Sequence, residues 1–143
     1  MTATADNAEV QRSLAGKLGI SAGQVVQEIG YDDDTDADLR AGVAAVSGSA
    51  LVDDDYDDVV DVVLLWWRED DGDLVDALVD AIGILADQGV VWLLTPKPGR
   101  DGHVESSDIS DAAPTAGLQS TSTISAAREW QGTRLVAPRA VRR

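Results

Sequence analysis

One stretch constrains the fold more than any other: Val59-Val60-Asp61-Val62-Val63-Leu64-Leu65-Trp66-Trp67, β-branched at its start and apolar at every position but one. A strand with one wet face alternates apolar and polar residues, whereas a strand covered on both faces reads as a nearly continuous apolar run. The run therefore predicts a central strand of a mostly parallel sheet with helices on either side. Asp61 interrupts it, and it is far shorter than the roughly 20 apolar residues a bilayer span needs. No membrane segment and no membrane partner are expected.

The flanking segments supply the rest of an α/β chain. Val10, Leu14 and Leu18 recur at helical spacing before Gly19, so a helix is predicted over 7–18. Val25 to Ile29 reads as the first strand. Leu39, Val43 and Val46 form the stripe of a second helix, capped from Asp32 to Asp36 and closed by Gly48. Ala50-Leu51-Val52 reads as a short edge strand, Asp73 to Asp87 as a helix closed by Gly89, and Val90 to Leu94 as another buried strand. Ser107 caps a short helix through Ala116, bent or shortened by Pro114. Gln119 to Ser125 and Arg134 to Ala137 make a closing hairpin with a turn at Gln131-Gly132. The expectation is a Rossmann-like α/β fold: a mostly parallel sheet of about six strands with a C-terminal antiparallel hairpin. At 143 residues the chain suits a single domain over 6–137, with a disordered start at 1–5 and a flexible basic tail at 138–143.

Charge narrows the partners. The formal net charge is −15, and residues 1–96 hold 21 acidic against 4 basic side chains, while residues 97–143 hold 5 against 7. Carboxylates repel phosphates, so direct nucleic-acid binding is not expected. The chain has no cysteine, which excludes disulfides, thiolate metal sites and thiol nucleophiles. The first 20 residues are polar and include Asp6 and Glu9, unlike a secretory signal, and a cytoplasmic location is expected.

Several segments resemble class I S-adenosylmethionine-dependent methyltransferases. Leu18-Gly19-Ile20, Gly23 and Val25 to Gly30 resemble the helix, turn and first strand before the cofactor loop. Tyr56-Asp57-Asp58-Val59-Val60 resembles the entry to the fourth strand of that fold. Gln88-Gly89 with Val91 to Lys97 resembles its fifth strand, and Ala116-Gly117-Leu118 the boundary before its terminal hairpin. The likeness implies a truncated version of that fold, without its third strand, and it implies an acidic ribose ligand after a strand, a place that Asp53 takes here. More specifically, the chain resembles an uncharacterised actinobacterial family, domain of unknown function three-zero-five-two, in its Trp-Trp strand, Thr-Pro-Lys loop and late Ala-Gly-Leu. That family implies no activity.

The cofactor loop departs from the resemblance. A methyltransferase needs glycines after the first strand so that backbone can approach the cofactor. Here the loop is Gly30-Tyr31-Asp32-Asp33-Asp34, whose carboxylates would face the cofactor's own. Like charges about 4 Å apart cost roughly 1 kcal/mol in water and more in a cleft. No cofactor is therefore expected.

In such sheets ligands bind beyond the carboxyl ends of the strands. That edge gathers Gly30, Tyr31, Asp32 and Asp34 from the first strand, Trp66, Trp67 and Arg68 from the central run, and Thr95, Lys97, Arg100 and His103 from the next. The hairpin turn adds Trp130. This rim reads either as a pocket or protein-docking surface, or as ordinary loop chemistry with half-buried indoles. Asp32, Asp34 and Asp36 have the spacing of a calcium loop, but Ala37 replaces its glycine and Val43 its bidentate glutamate, so no metal site is expected. His103 stands in no triad or metal spacing, and Lys97 with Arg100 is read as turn chemistry before an anion site. No catalytic residue is assigned. The leading expectation is a non-catalytic, methyltransferase-like domain that binds a protein or small molecule. An enzyme with an altered cofactor loop, using Asp32, Lys97 or His103, stands as one alternative, and an acidic docking module or nucleic-acid mimic as another.

Overall fold

A computed structural model describes residues 2–137. The elements run α1 (Thr2–Lys17), β1 (Val26–Ile29), α2 (Ala37–Ser47), β2 (Val60–Trp66), α3 (Leu74–Ala81), β3 (Leu85–Pro96), α4 (Ser106–Thr115), β4 (Gln119–Ser125) and β5 (Trp130–Val136). They form one sheet of order β1-β2-β3-β5-β4, with β1, β2 and β3 parallel and β3-β5-β4 antiparallel. Among the described residues no helix is long and apolar enough to cross a membrane.

The central run becomes β2, paired on both sides and buried on both faces. Val60, Val63, Leu65 and Trp67 point into one core with Leu78 and Ala81 of α3 and Ile109 and Ala113 of α4. Val62, Leu64 and Trp66 point into the other with Leu18, Leu39 and Val43. Three layers result, which is why the run lacks alternation.

The sheet has five strands, not about six. Leu51-Val52 reaches the edge of β1 through a single parallel bridge, Gln27 to Val52, with Glu28 N–H on the Val52 carbonyl at 2.8 Å. Asp53 follows at once, and carboxylates do not continue a ladder. Helix α1 starts at Thr2, five residues before the helix predicted from 7. The tail at 138–143 lies outside the described residues.

Two further boundaries move. Helix α3, expected over Asp73 to Asp87, stops at Ala81, and Leu85 from the predicted span pairs with Val60 as the first residue of β3. The turn at Ile82 to Ile84 breaks the helix, and strand pairing then buries the apolar residues beyond it. Gln131-Gly132 lies inside β5, opposite Thr95 and Leu94, and the hairpin turns at 126–129. A Cβ at Gly132 would meet Trp92 and Ala126 at 3.2 Å, so this glycine makes room for an indole and does not form a turn. The caps of α2 behave as the sequence indicates, with Asp36 accepting from Leu39 N–H at 2.8 Å and Gly48 closing the helix in the left-handed region, but Ser107 does not cap α4, which starts at Ser106 with Glu105 at its N-cap and no side-chain cap bond.

Candidate functional site

The parallel strands β1, β2 and β3 end together, and the chain after each end builds the carboxyl edge of the sheet. Beyond β1, Gly30 turns at φ 84° directly against β2; a Cβ there would overlap the Trp66 carbonyl oxygen. The one glycine of this loop thus seals β1 to β2.

Arg68, two residues beyond β2, fills the space above that seal. Its Nη1 donates to the carbonyls of Gly30 at 2.9 Å and Trp66 at 3.2 Å. Its Nε and Nη2 form a fork on the Asp34 carboxylate, Nε at 3.0 Å from Oδ2. Asp71 accepts from the Arg68 backbone N–H at 2.9 Å and lies 3.4 Å from Nη1. The guanidinium also sits 5.2 Å from the Trp130 ring, whose indole N–H donates to the Asp34 carbonyl at 3.1 Å. Loop, strand end and hairpin are thereby tied through one side chain that is 14% exposed. The hydrogen bond from Arg68 holds the Asp34 carboxyl below the usual aspartate range. Burial works against the charge of Arg68, but Asp34 and Asp71 outweigh it and raise its pKa.

A second ion pair lies beneath the first. Glu28 on β1 is buried, with Arg40 of α2 donating Nε to Oε2 at 2.6 Å and Nη2 to Oε1 at 2.9 Å. The Trp66 indole donates to the same Oε2 at 2.9 Å. Those contacts satisfy a carboxylate that would be costly to bury alone. They raise the pKa of Arg40, chiefly through the Glu28 hydrogen bond. The Arg40 guanidinium then lies 4.3 Å over the ring of Tyr31, which is otherwise exposed.

Gly30, Tyr31, Asp32, Asp34, Trp66, Trp67, Arg68 and Trp130 therefore come together at one place. Their roles differ from those of an open rim. Trp66 and Trp130 are buried, with rings 4.8 Å apart and nearly perpendicular, and belong to the core. Thr95 is also a core residue, and its hydroxyl finds no hydrogen-bond partner. Lys97, Arg100 and His103 stand on the β3 side. Arg100 pairs with Glu129, and His103 Nδ1 lies 2.9 Å from the Pro96 carbonyl. Their loop touches the others through Gly102, which packs on the Arg68 stem. Asp53, Asp54 and Asp55 bring their oxygens within 4.8 Å of one another on the exposed surface, an ordinary arrangement for a solvated acidic loop. Sequence reasoning missed Glu28 and Arg40. The available signal was polar Gln27-Glu28 inside an otherwise apolar strand, since a charge in such a place needs a partner.

The loop after β1 is thus not an open glycine-rich turn: Gly30 packs against the Trp66 carbonyl, and the Arg68 guanidinium lies on the Gly30 and Trp66 carbonyls beside Asp34.

Comparison with known proteins separates fold from activity. A S-adenosylmethionine-dependent methyltransferase from Aquifex aeolicus superposes with a TM-score of 0.57 at 9% identity, over 87% of this chain and 88% of that one. The pyocyanin biosynthetic protein PhzM gives 0.62 at 12% identity over 89% of this chain, which spans about half, 54%, of its length. Likeness at such identities concerns the fold alone. An uncharacterised protein of Mycobacterium tuberculosis strain H37Rv is 54% identical over 127 residues, 89% of this chain and 80% of the relative. The model of the family described as "Protein of unknown function (DUF3052)" matches residues 15–139, and the chain belongs to that family.

Proposed function

We propose that this protein is a non-catalytic binding domain built on a methyltransferase-like framework, with a protein or small molecule as its partner. The observation that carries the reading is Arg68, whose guanidinium takes the position above β1 and β2 where a glycine-rich loop would admit a cofactor. The lack of any cluster of catalytic side chains at the expected edge among the described residues supports it as well: His103 faces a backbone carbonyl, Thr95 is buried in the core, and neither Thr95 nor Lys97 lines the cleft that Asp32 lines. Its charge of −15 disfavours phosphate-rich partners, and the cysteine-free composition suits the cytoplasm. Isothermal titration calorimetry with S-adenosylmethionine and S-adenosylhomocysteine is the test. No heat of binding is expected, and micromolar affinity for either would overturn the reading.

A further inference from the structure

Two open clefts lie side by side on the carboxyl edge, with Gly30-Tyr31 as the ridge between them. The first, about 440 Å³, is bounded by Tyr31, Arg40, Asp53 and Asp54. The second, about 380 Å³, has an apolar floor that includes Ile29, Leu65 and Trp67, and a rim that includes Asp32 and Asp80. Tyr31 is 56% exposed, yet Arg40 holds it from one side and buried Glu28 in turn fixes Arg40. An exposed aromatic already immobilised loses little entropy on contact, which is the property of an interface anchor.

The clefts ask for two kinds of ligand atom. Asp32, Asp53, Asp54 and Asp80 pair with no cation among the described residues, whereas Arg40 and Arg68 are spent on Glu28 and Asp34. Independently, Trp67 is 8% exposed and lines the second cleft. The indoles of Trp66, Trp92 and Trp130 each donate to an oxygen, but that of Trp67 has no acceptor among the described residues.

We infer that this edge binds an extended basic segment of a partner protein, lying across Tyr31 with a lysine or arginine side chain in each cleft and a backbone carbonyl on the Trp67 indole. A polypeptide brings cations and acceptors together, whereas a polyamine brings only cations. Long basic side chains also lay an alkyl stem on an apolar floor while the charge stays at the rim. The inference rests on the reading of the chain as a binding domain and gives that domain a partner class.

Fluorescence anisotropy of the full chain with a fluorescein-labelled peptide alternating lysine and glycine tests it, with spermine as competitor. Binding is expected, with spermine displacing the peptide poorly. Tyr31→Ala, and Asp32→Asn with Asp80→Asn, each weaken binding about fivefold, the scale of an interface anchor or two exposed ion pairs. Trp67→Phe, which keeps most of the packing, weakens it about threefold through the lost donor. Asp87→Asn with Asp111→Asn makes the same charge change elsewhere and alters binding less than about twofold. Near-ultraviolet circular dichroism checks that each variant folds. No binding, equal losses in the two Asp pairs, or displacement by spermine as effective as by unlabelled peptide would each overturn the site. Such a failure without S-adenosylmethionine binding leaves the binding-domain reading in place; micromolar S-adenosylmethionine binding removes that reading and this one with it.

Discussion

Replacing Arg68 by methionine separates a side chain that fills a crevice from one that merely decorates it. The stem volume stays and the guanidinium goes. The Trp66 carbonyl, partly buried, loses its donor at a cost of about 1 kcal/mol, and the exposed Gly30 carbonyl, which water can reach, costs about 0.5 kcal/mol. The cation above Trp130 contributes about 0.5–1 kcal/mol. Asp34 is 54% exposed, so solvent screening leaves its pair with Arg68 worth about 0.5 kcal/mol. Methionine recovers part of this by contact with the indole, and the net loss expected is about 2 kcal/mol. With a urea dependence of about 2 kcal/mol/M for a chain of this size, the midpoint falls by about 1 M. The matched control is Arg100→Met, whose pair with Glu129 is about half-exposed on both sides, 49% and 46%, and which should shift the midpoint by no more than about 0.3 M. Equal shifts for the two variants would refute the claim that Arg68 ties the loop, the strand end and the hairpin together.

Other outcomes follow from the same geometry. Gly30→Ala combines a left-handed φ of 84° with overlap on the Trp66 carbonyl and should lose about 3 kcal/mol or fail to fold, read by urea denaturation or soluble yield. Thr95→Val removes a buried hydroxyl without a partner and should be neutral or stabilising by up to about 1 kcal/mol; a loss larger than that would mean the hydroxyl is bonded. Because the folded pKa of Asp34 is depressed, its contribution is present above the usual aspartate range and is lost as pH falls through the lower folded value. Carboxyl carbon NMR should therefore find Asp34 ionised to lower pH than a free aspartate, and Arg68→Met should return it to the usual range. Glu28→Gln breaks a buried pair whose other member, Arg40, is one-third exposed, and should cost about 2–3 kcal/mol in the same urea assay.

Elements with strong periodicity were legible in the chain. The nearly continuous apolar run before Arg68 identified the central strand, and Asp36 and Gly48 bracketed α2. Boundaries failed where two burial solutions competed. Leu85 fits both a helix stripe and a strand, and pairing with Val60, which lies elsewhere in the sequence, decided between them. Gly132 carries the same signal whether it turns the chain or admits Trp92, and only packing distinguishes the two. The edge was legible in outline, because the strand ends select its residues, but Glu28 and Arg40 escaped since their partnership crosses from a strand to a helix.

Sequence alone determined the layered α/β sheet, the absence of thiol chemistry and the acidity of the first two-thirds, because these follow from local pattern and composition. Tertiary structure decided what the acidity does. Asp34 meets Arg68 across 34 residues of chain, and Trp130 meets the Asp34 carbonyl across 96. Once those contacts form, one carboxylate of the loop is neutralised internally while Asp32, Asp53, Asp54 and Asp80 line open clefts without a cation partner among the described residues. Which charges cancel and which remain depends on distances between segments, and a linear sequence does not specify those distances.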